Sequence, residues 1–501
     1  MVADPSIAAA IEDIAARWTA SAPVVSGACP TVSVRSMASA TMAAQLVNTD
    51  TSLPQVWIPD STAWVDRVRH DTAGRDSPVS SLWLYPPIAR SPLVLATTAT
   101  GLEATRATAA RGWASVLSGP APPVTLEPRR NTEGLATLLT AQTLVNGAGT
   151  TPRRQLIDAL VRLSRQTVPD SAAGLGLVRQ HPSTARAVVI SERAALELNA
   201  KRNVADQVGL IYPRGAAVGL DWPVVQFSPP GGEPALRDAT TTFVAQLSTP
   251  ESLKRLQSTG LRNPTPATAA GVPAAQFLRR PTTDQQTAAL RAWTAAGRTS
   301  RTLMVIDLSG SMSESIGGGQ TKIQFAAAAG RSAISFFPDT SSIGLWGFSV
   351  DRSPKSDWTQ LVSLGPLSGS IGRVTRRQAL VTAATAMPSI THGDTGLYAT
   401  TLAAYEKVRS GFNPESVNSV VLLTDGANTD TRGISLPSLL KRLGSEHDSR
   451  RPVPIITIAV GRGADTATLK RISAATGGRC YVVSKPDDIH DALLDAVIQA
   501  R

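Results

Sequence analysis

The feature that most constrains the fold of this chain is a regular alternation, from about residue 298 onward, of unbroken apolar runs and helix-like segments. The runs are TLMVID, SIGLWGFS, SVVLLTDG and VPIITIAVG, with CYVVS as a last short one. None of them alternates between apolar and polar residues, so each has to be buried on both faces. Strands of a parallel sheet that is covered by helices meet that condition. The second half of the chain is therefore predicted to be an α/β domain.

The first half of the chain also alternates apolar runs with helical patterns, but less regularly. From residue 1 to about 280, short apolar runs alternate with helical patterns and with many prolines, which also favours an α/β fold. A chain of 501 residues is too long for one ordinary core, so two or three domains are expected. The stretch 278–293 carries a proline and polar residues before a helical pattern resumes. We predict a domain over 1–280, a linker helix over 281–297 and a domain over 298–501.

Polar side chains follow two of the apolar runs at the point where each run ends. TLMVID delivers Asp307, the next loop supplies Ser309 and Ser311, and SVVLLTDG delivers Asp425. Ligands of an open parallel sheet bind at the carboxyl ends of its strands, so we expect these oxygens to lie together. An all-oxygen set suits a hard cation, and Mg²⁺ fits especially well because it keeps waters. The alternative is a polar turn in which Asp or Ser caps the next helix.

The order Asp-x-Ser-x-Ser, a distant loop Thr and a later Thr-Asp-Gly resembles the metal-ion-dependent adhesion site (MIDAS) of von Willebrand factor type A (VWA) domains. The resemblance covers roughly 298–501 and implies a Rossmann-like domain with a mostly parallel central sheet that binds Mg²⁺ or Mn²⁺. It also implies that the ion binds an Asp or Glu of a protein partner. Before the loop Thr, this chain has Gly393 and Asp394 where many relatives have two small residues. The residues at the implied ligand positions are Asp307, Ser309, Ser311, Thr395 and Asp425.

Enzymatic interpretations of the same residues are weaker. An aspartate site for phosphate transfer would need a second acid two residues after Asp307, where Ser309 stands. The sequence contains neither a GxSxG nucleophile motif nor a GxxxxGK[ST] loop, and its five histidines have no metal-ligand spacing. We therefore expect a binding protein and not an enzyme.

The charge of the chain does not indicate a nucleic-acid partner. The formal net charge is +11, and arginine supplies 41 of the 49 basic residues. Those arginines are scattered among acidic residues and form no basic stripe interleaved with aromatic residues. We expect no nucleic-acid binding, while acidic partners and anionic surfaces stay open.

Four segments of the first half are LPQVWIPDSTAW, ARSPLVLATT, LEPRRNTEGLATLLTA and VVISERAAL. In their order and composition they resemble a bacterial extracytoplasmic solute-binding protein. The resemblance implies a type 2 periplasmic-binding fold, in which the chain passes twice between two lobes. Lobe I would comprise 1–96 and 223–280, and lobe II would comprise 97–222.

Such a fold implies a small-solute cleft lined by hydroxyls, amides and helix N-termini from both lobes. The alternative for any single residue of this kind is an N-cap or a turn. The candidate ligand-binding residues are Ser36, Ser39, Asp60, Ser61, Ser91, Asn131, Thr132, Ser191 and Glu192.

Together these features predict a non-enzymatic bacterial binding protein. Its VWA domain would use Mg²⁺ to bind an acidic protein partner, and its first domain would bind a small solute. One alternative is a structural, surface-adhesion or assembly factor whose first domain has lost ligand binding. Another is an intracellular assembly factor in which the VWA domain works with an ATPase.

The resemblance of the first half implies a place outside the cytoplasmic membrane, at the cell surface or anchored to the membrane, with any tether outside this sequence. No apolar run reaches the ~18 residues of a membrane span. The segment 6–18 has the pattern of an amphipathic helix and not of a leader, so an exported form would have had its leader removed. Cys29 and Cys480 are either free thiols or the two ends of a long-range disulfide.

Overall fold

The computed structural model divides the chain into two compact units, Met1–Trp293 and Thr294–Arg501. Residues 484–501, which the predicted second domain includes, lie outside the described residues. The structure describes residues 1–48, 53–74, 78–119, 121–145, 150–180, 187–203, 206–227, 233–265, 273–317, 319–334, 337–353, 356–461 and 463–483.

The N-terminal unit consists of short strands interleaved with helices. Its strands are β1 (Val2–Ala3), β2 (Arg35–Ser36), β3 (Val56–Ile58), β4 (Leu82–Tyr85), β5 (Arg90–Ser91), β6 (Leu93–Thr97), β7 (Thr125–Leu126), β8 (Thr167–Val168), β9 (Val188–Ser191), β10 (Gly209–Ile211), β11 (Leu220–Asp221) and β12 (Val224–Phe227). Its helices are α1 (Pro5–Ala20), α2 (Ser39–Val47), α3 (Thr62–Thr72), α4 (Leu102–Ala109), α5 (Trp113–Ser118), α6 (Thr132–Val145), α7 (Thr150–Ser164), α8 (Ser171–Gln180), α9 (Glu192–Ala200), α10 (Pro234–Leu247) and α11 (Pro250–Ser258). The next helix, α12 (Thr283–Gly297), begins in this unit and ends in the second.

These strands form two main sheets, one in each of two lobes. The first sheet has the order β2-β1-β3-β12-β4, and the second has the order β10-β6-β9. Between them, β5 pairs with β11 in antiparallel register, so the chain passes twice from one sheet to the other. The two-lobed α/β fold predicted for the first half is confirmed.

The first passage between the lobes lies earlier in the chain than the sequence placed it. The prediction began lobe II at residue 97, but β6 pairs with both β9 and β10 and belongs to the second sheet. The apolar run that ends at Thr97 is therefore the buried centre of lobe II, and the passage occurs at β5. The return passage at β11 lies next to the predicted position 223.

Each lobe has its own apolar core. Trp57, Trp64 and Val225 belong to a cluster against the first sheet, and all three are at most 1% exposed. Val94 and Val188 belong to a second cluster against the other sheet, and both are fully buried. Because the two cores are separate, each lobe can hold its shape while the boundary between the lobes carries polar groups.

The C-terminal unit is built on one six-stranded sheet with helices on both faces, and it also has two two-stranded hairpins. Its strands are β13 (Ser300–Asp307), β14 (Ser315–Gly317), β15 (Gln320–Thr321), β16 (Ser342–Ser353), β17 (Ser356–Pro366), β18 (Ser370–Ile371), β19 (Val374–Thr375), β20 (Val417–Thr424), β21 (Ile455–Val460) and β22 (Cys480–Val483). Its own helices are α13 (Lys322–Ile334), α14 (Arg376–Ala386), α15 (Leu397–Ser410), α16 (Leu436–Glu446) and α17 (Thr466–Ala474).

The sheet of this unit has the order β17-β16-β13-β20-β21-β22. All of its pairings are parallel except that of β16 with β17, which confirms the predicted mostly parallel sheet. The five apolar runs of the sequence correspond to β13, β16, β20, β21 and β22. The antiparallel edge strand β17 was not predicted, because its residues are mostly half-buried and lack a continuous apolar run.

The unbroken apolar runs result from burial on both faces of the sheet. Met304 and Ile306 of β13 lie in one apolar cluster, while Leu303 and Val305 lie in another. Alternate residues of the strand therefore enter two separate cores, and the strand ends where Asp307 replaces the apolar residues.

In the described part of the chain, none of the helices is long and apolar enough to cross a bilayer. Both cysteines are free thiols, with Cys29 exposed and Cys480 partly buried.

Candidate metal centre and inter-lobe contacts

Asp307 is the carboxylate on which the candidate metal centre is built. It ends β13 and is fully buried, with Oδ1 accepting a hydrogen bond of 2.8 Å from the backbone N–H of Ser309. Its Oδ2 accepts a hydrogen bond from the hydroxyl of Thr424, the last residue of the neighbouring β20. Burial raises the pKa of Asp307 to about 6, because the loss of water around its charge outweighs the hydrogen bonds from Thr424 and Ser309.

The two serines connect this strand end to the second carboxylate. The hydroxyl oxygens of Ser309 and Ser311 lie 3.1 Å apart, and the Ser311 hydroxyl donates a hydrogen bond of 2.8 Å to Oδ1 of Asp425. Asp425 directly follows β20 and is 3% exposed. The parallel pairing of β13 with β20 thus brings the carboxylates and hydroxyls to one edge of the sheet, as predicted.

Backbone hydrogen bonds hold the loop that carries Thr395 against this edge. The N–H of Gly310 donates to the carbonyl of Gly393 at 2.8 Å, and the N–H of His392 donates to the carbonyl of Leu308 at 2.7 Å. Gly393 has a φ of 87°, a conformation that favours glycine, which explains the residue at this position. Thr395 is 4% exposed, and its hydroxyl lies 3.6 Å from where a Cβ on Gly426 would stand. The loop therefore places Thr395 beside the residue that follows Asp425.

Asp394 is exposed and lies next to these residues in the same loop. Its carbonyl accepts a hydrogen bond of 2.7 Å from the backbone N–H of Val350 in β16. The residue that departs from the expected small side chain thus has a backbone role that joins the loop to the sheet.

The residues present fit a hard divalent cation. Among the described residues no three Asp, Glu, His or Cys side chains form a metal-binding group, so a metal centre here has to use hydroxyl oxygens as well. The cluster offers two carboxylates and three hydroxyls, and carboxylate and hydroxyl oxygens suit Mg²⁺ or Mn²⁺. Asp307, Ser309, Ser311, Thr395 and Asp425 would hold the ion.

One charged residue at this edge was not predicted from the sequence. The ammonium group of Lys322 lies 2.6 Å from Oδ2 of Asp425 and 2.7 Å from a carboxylate oxygen of Glu314. Although burial acts against it, these two contacts raise the pKa of Lys322. Nothing in the sequence distinguishes Lys322 from the other seven lysines, because a hairpin specific to this fold creates the contact.

In the N-terminal unit, three of the predicted ligand residues meet where the lobes touch. Thr132 of lobe II donates a hydrogen bond of 2.7 Å to Oδ1 of Asp60 in lobe I, and the indole N–H of Trp64 in lobe I donates to the Thr132 hydroxyl at 2.7 Å. The Ser39 hydroxyl accepts from the backbone N–H of Asp60 at 2.9 Å and donates to Asp4 at 2.7 Å. These polar groups satisfy one another and hold the two lobes in direct contact.

Two carboxyl groups at this boundary have raised pKa values. Burial and the nearby charge of Asp4 raise the pKa of Asp60 well above its ordinary value. Burial also raises the pKa of Glu133, which accepts a hydrogen bond of 3.0 Å from the Ser191 hydroxyl.

Four other predicted ligand residues accept hydrogen bonds from backbone N–H groups of the protein. Ser61 caps α3 and Ser191 caps α9, each accepting a backbone hydrogen bond from the first turn of its helix. The side chain of Asn131 accepts from the N–H of Glu133 at 2.9 Å, and that of Ser91 accepts from the N–H of Arg193 at 3.0 Å. For Ser61, Ser191 and Asn131 the structure shows the capping and turn interactions that were the alternative, whereas Ser91 of β5 contacts the first turn of α9, 102 residues away in the chain. A ligand role for all four stays a prediction.

The two remaining candidates lie apart from the contact between Asp60 and Thr132. Glu192 forms a two-pronged ion pair with Arg262 at 2.7 and 2.8 Å, and both side chains are at most 1% exposed. Glu192 also accepts a hydrogen bond of 2.5 Å from Tyr212, so it is committed to the interior of the protein. Ser36 is exposed on the edge strand β2.

A segment near the end of the N-terminal unit lies beside the ribbon formed by β5 and β11; we call residues 276–281 the strap. The N–H of Leu278 donates to the carbonyl of Ala217 at 2.9 Å, and the guanidinium of Arg90 lies 5.2 Å from the centre of the Phe277 ring. A Cβ added at Gly219 would lie 2.2 Å from that ring. The strap therefore packs closely on the backbone that connects the lobes.

Arg280 of the strap joins the first lobe to the ribbon. Its Nε donates a hydrogen bond of 2.9 Å to Asp66 of α3, and its Nη1 lies 3.7 Å from a carboxylate oxygen of Asp221 in β11. Asp221 in turn accepts hydrogen bonds from the backbone N–H and the hydroxyl of Thr62, at 2.9 and 2.6 Å. The strap and the two lobes border a cavity of about 720 Å³.

Comparison with known proteins agrees with this division. The model of the bacterial extracellular solute-binding proteins matches residues 1–262, and the model of the von Willebrand factor type A domain matches residues 303–494. Because the first match covers more than half of the chain, the chain belongs to the bacterial extracellular solute-binding protein family, and its second half carries a VWA domain. Relatives in two strains of Mycobacterium tuberculosis, both described as uncharacterized proteins, are 26% identical over 512 residues. The alignment covers 95% of this chain and 73% of each relative.

Solved structures match parts of the chain at low sequence identity. Iron-bound HitA from Pseudomonas aeruginosa has 14% sequence identity and a TM-score of 0.42, and the match covers 59% of this chain and 98% of HitA. A von Willebrand factor type A protein from Catenulispora acidiphila has 16% identity and a TM-score of 0.28, covering 40% of this chain and 43% of that protein. Proximal thread matrix protein 1 from the mussel byssus, with a zinc-occupied MIDAS motif, has 17% identity and a TM-score of 0.31, covering 40% of this chain. The chain spans about half the length, 48%, of the mussel protein.

Proposed function

We propose that this protein is a non-enzymatic, extracytoplasmic binding protein whose VWA domain binds Mg²⁺ or Mn²⁺ and, through the ion, an acidic group of a protein partner. The observation that carries the proposal is the cluster of two carboxylates and three hydroxyls at the carboxyl edge of the sheet. The family of the first half supports a location outside the cytoplasmic membrane.

The chain prepares this cluster for a cation before any partner arrives. Asp307 is held in a fixed orientation by Ser309 and Thr424, and Ser311 holds Asp425 in the same way. A divalent ion bound there supplies the positive charge that attracts an acidic group from solution. The protein contributes two carboxylates and neutral hydroxyls, so an Asp or Glu of the partner would fill a coordination position of the ion that these groups leave open.

Calorimetric titration of Mg²⁺ and of Mn²⁺ into the metal-stripped full chain tests the proposal. We expect binding to the wild type and none to Asp307→Ala, because that change removes one of the two carboxylates. Glu415→Ala, which removes an exposed carboxylate of the same unit, serves as the matched control and should bind as the wild type does. Equal binding to wild type and Asp307→Ala would place the ion elsewhere.

If the metal binds, a search for the partner follows. Partners are sought by capture on the wild type in Mg²⁺, with release by chelator and with Asp307→Ala as the negative control. A partner whose acidic residue is replaced by its amide should no longer be retained.

The role of the N-terminal unit has two candidate forms. Membership of the solute-binding family supports a small solute held between the lobes. The direct hydrogen bond from Thr132 to Asp60 favours the other form, a closed scaffold in which the protein's own side chains occupy the contact between the lobes. Thermal unfolding with a panel of amino acids, sugars, polyamines and inorganic anions separates the two. A ligand that stabilises the wild type but not Asp60→Ala supports solute binding, and no stabilisation by any of them supports the scaffold.

A further inference from the structure

Lys322 lies against the proposed metal centre with its charge directed at Asp425. Its ammonium is 2.6 Å from Oδ2 of Asp425, and the lysine side chain is only 12% exposed. The other oxygen of the same carboxylate accepts the hydrogen bond from Ser311. One oxygen of Asp425 therefore pairs with Lys322, and the other accepts the hydrogen bond from Ser311.

The fold fixes the position of Lys322. The antiparallel hairpin of β14 and β15 precedes it, and its backbone N–H donates a hydrogen bond of 3.0 Å to the carbonyl of Glu314. Lys322 is the first residue of α13, whose beginning is held by reciprocal hydrogen bonds between Thr321 and Gln324. The lysine stem also packs near Gly461, where an added Cβ would lie 3.6 Å from it. The ammonium is thus anchored by both backbone and stem.

The charges around the centre can be counted directly. Asp307 and Asp425 carry two negative charges, and both side chains are buried. Lys322 adds one positive charge in contact with Asp425. Glu314, the second partner of Lys322, has a side chain that is 67% exposed, so water screens most of its effect. A divalent ion in this centre would therefore leave a local net charge of about +1, where the two carboxylates alone would leave none.

From this arrangement we infer that Lys322 sets the charge of the metal centre, weakening its hold on the divalent ion and strengthening its attraction for an anionic carboxylate of the partner. The inference rests on the proposed metal binding and adds the residue that tunes it. Both effects follow from Coulomb's law, since the ammonium repels the cation and attracts the incoming anion. The two affinities must consequently change in opposite directions when the charge of Lys322 is removed.

Titration of Mg²⁺ alone into the metal-stripped full chain measures the first effect. Lys322→Met removes the charge and keeps an unbranched stem, and we expect it to bind Mg²⁺ about tenfold more tightly than the wild type, equivalent to about 1.4 kcal/mol. Lys322→Arg keeps the charge and should remain within about twofold of the wild type. Lys441→Met removes an exposed lysine of the same unit and should have no effect. Lys322→Gln replaces Lys322→Met if the latter does not fold, as judged by circular dichroism.

Proton relaxation of acetate in the presence of the Mn²⁺-saturated protein measures the second effect. We expect enhanced relaxation with the wild type, from acetate reaching the bound ion, and several-fold weaker acetate binding with Lys322→Met. A positioning role for Lys322 would weaken both Mg²⁺ and acetate binding, because Asp425 would lose its orientation.

The outcomes separate the inference from the function on which it rests. Tighter Mg²⁺ and weaker acetate binding by Lys322→Met support it. Unchanged or weaker Mg²⁺ binding by Lys322→Met, with normal binding by the wild type, overturns the inference and leaves the metal centre intact. No Mg²⁺ binding by the wild type or by any variant overturns the metal centre and the inference together.

Discussion

Replacing Asp307 by asparagine should stabilise the metal-free VWA domain while abolishing its response to Mg²⁺. The buried carboxylate has a pKa of about 6 against an ordinary value of 3.8. At about 1.36 kcal/mol for each pKa unit, keeping this group charged at pH 7 costs the folded state roughly 3 kcal/mol. An asparagine avoids that cost because it is neutral.

The hydrogen bonds around residue 307 determine the smallest increase in unfolding free energy that Asp307→Asn should give. Asparagine keeps one oxygen for the N–H of Ser309, and the Thr424 hydroxyl can accept from the new amide where it formerly donated. We therefore expect Asp307→Asn to raise the unfolding free energy of this unit by about 1–3 kcal/mol in chelator. For a unit of this size, each kcal/mol corresponds to about 2–4 °C in the unfolding temperature.

Differential scanning calorimetry of the full chain provides the assay, and the relevant transition is the one that Mg²⁺ shifts in the wild type. At Mg²⁺ concentrations one hundred times the dissociation constant, the wild type should gain about 2.7 kcal/mol, and Asp307→Asn should gain nothing. Asp448→Asn, at an exposed position of the same unit, serves as the control. If Asp307→Asn proved less stable than the wild type in chelator, the carboxylate would be a structural turn residue and the reasoning from buried charge would be refuted.

Three further predictions concern the N-terminal unit. Glu192→Gln should lower its unfolding free energy by about 3–5 kcal/mol in urea, because the change leaves the fully buried charge of Arg262 uncompensated. Burial raises the folded-state pKa of Asp60. The stability that this residue contributes is therefore complete below its unfolded pKa of about 3.9 and is lost as the pH rises through the folded-state pKa. Asp60→Asn should remove this part of the pH dependence of the unfolding free energy, measured between pH 4 and 8. Gly219→Ala should destabilise by about 1–3 kcal/mol because its Cβ would stand 2.2 Å from the Phe277 ring and 2.9 Å from the Ser91 carbonyl, and a Phe277→Ala background should reduce that cost, which a double-mutant cycle of unfolding free energies measures.

The sequence predicted those parts of the site that depend on strand order alone. Asp307 and Asp425 end two unbroken apolar runs, and parallel strands bring their carboxyl ends to one edge. The edge strand β17 escaped prediction because a strand covered incompletely has no continuous apolar run. Lys322 escaped for a different reason, since its partner Asp425 lies 103 residues away and a local hairpin determines the contact.

The candidate solute-binding residues show that a polar side chain after a strand does not by itself predict a ligand. A serine at this position is favourable both as a ligand and as a helix cap, and Ser61 and Ser191 are observed as caps. Asp60 and Thr132 were selected by the same rule but meet across the lobes, which only the tertiary fold determines. Sequence position therefore selected some residues at the contact between the lobes without distinguishing them from helix caps.

The strap determines where this protein can be cut into working fragments. The solute-binding family match ends at residue 262, yet Phe277, Leu278 and Arg280 pack on the ribbon and on α3, and the compact unit continues to Trp293. A fragment that stops at 262 would expose the acidic groups of Asp66 and Asp221 and the apolar surface under Phe277. Such a fragment should be sensitive to limited proteolysis, whereas one that extends to 293 keeps its own closing segment and is the better choice for autonomous expression.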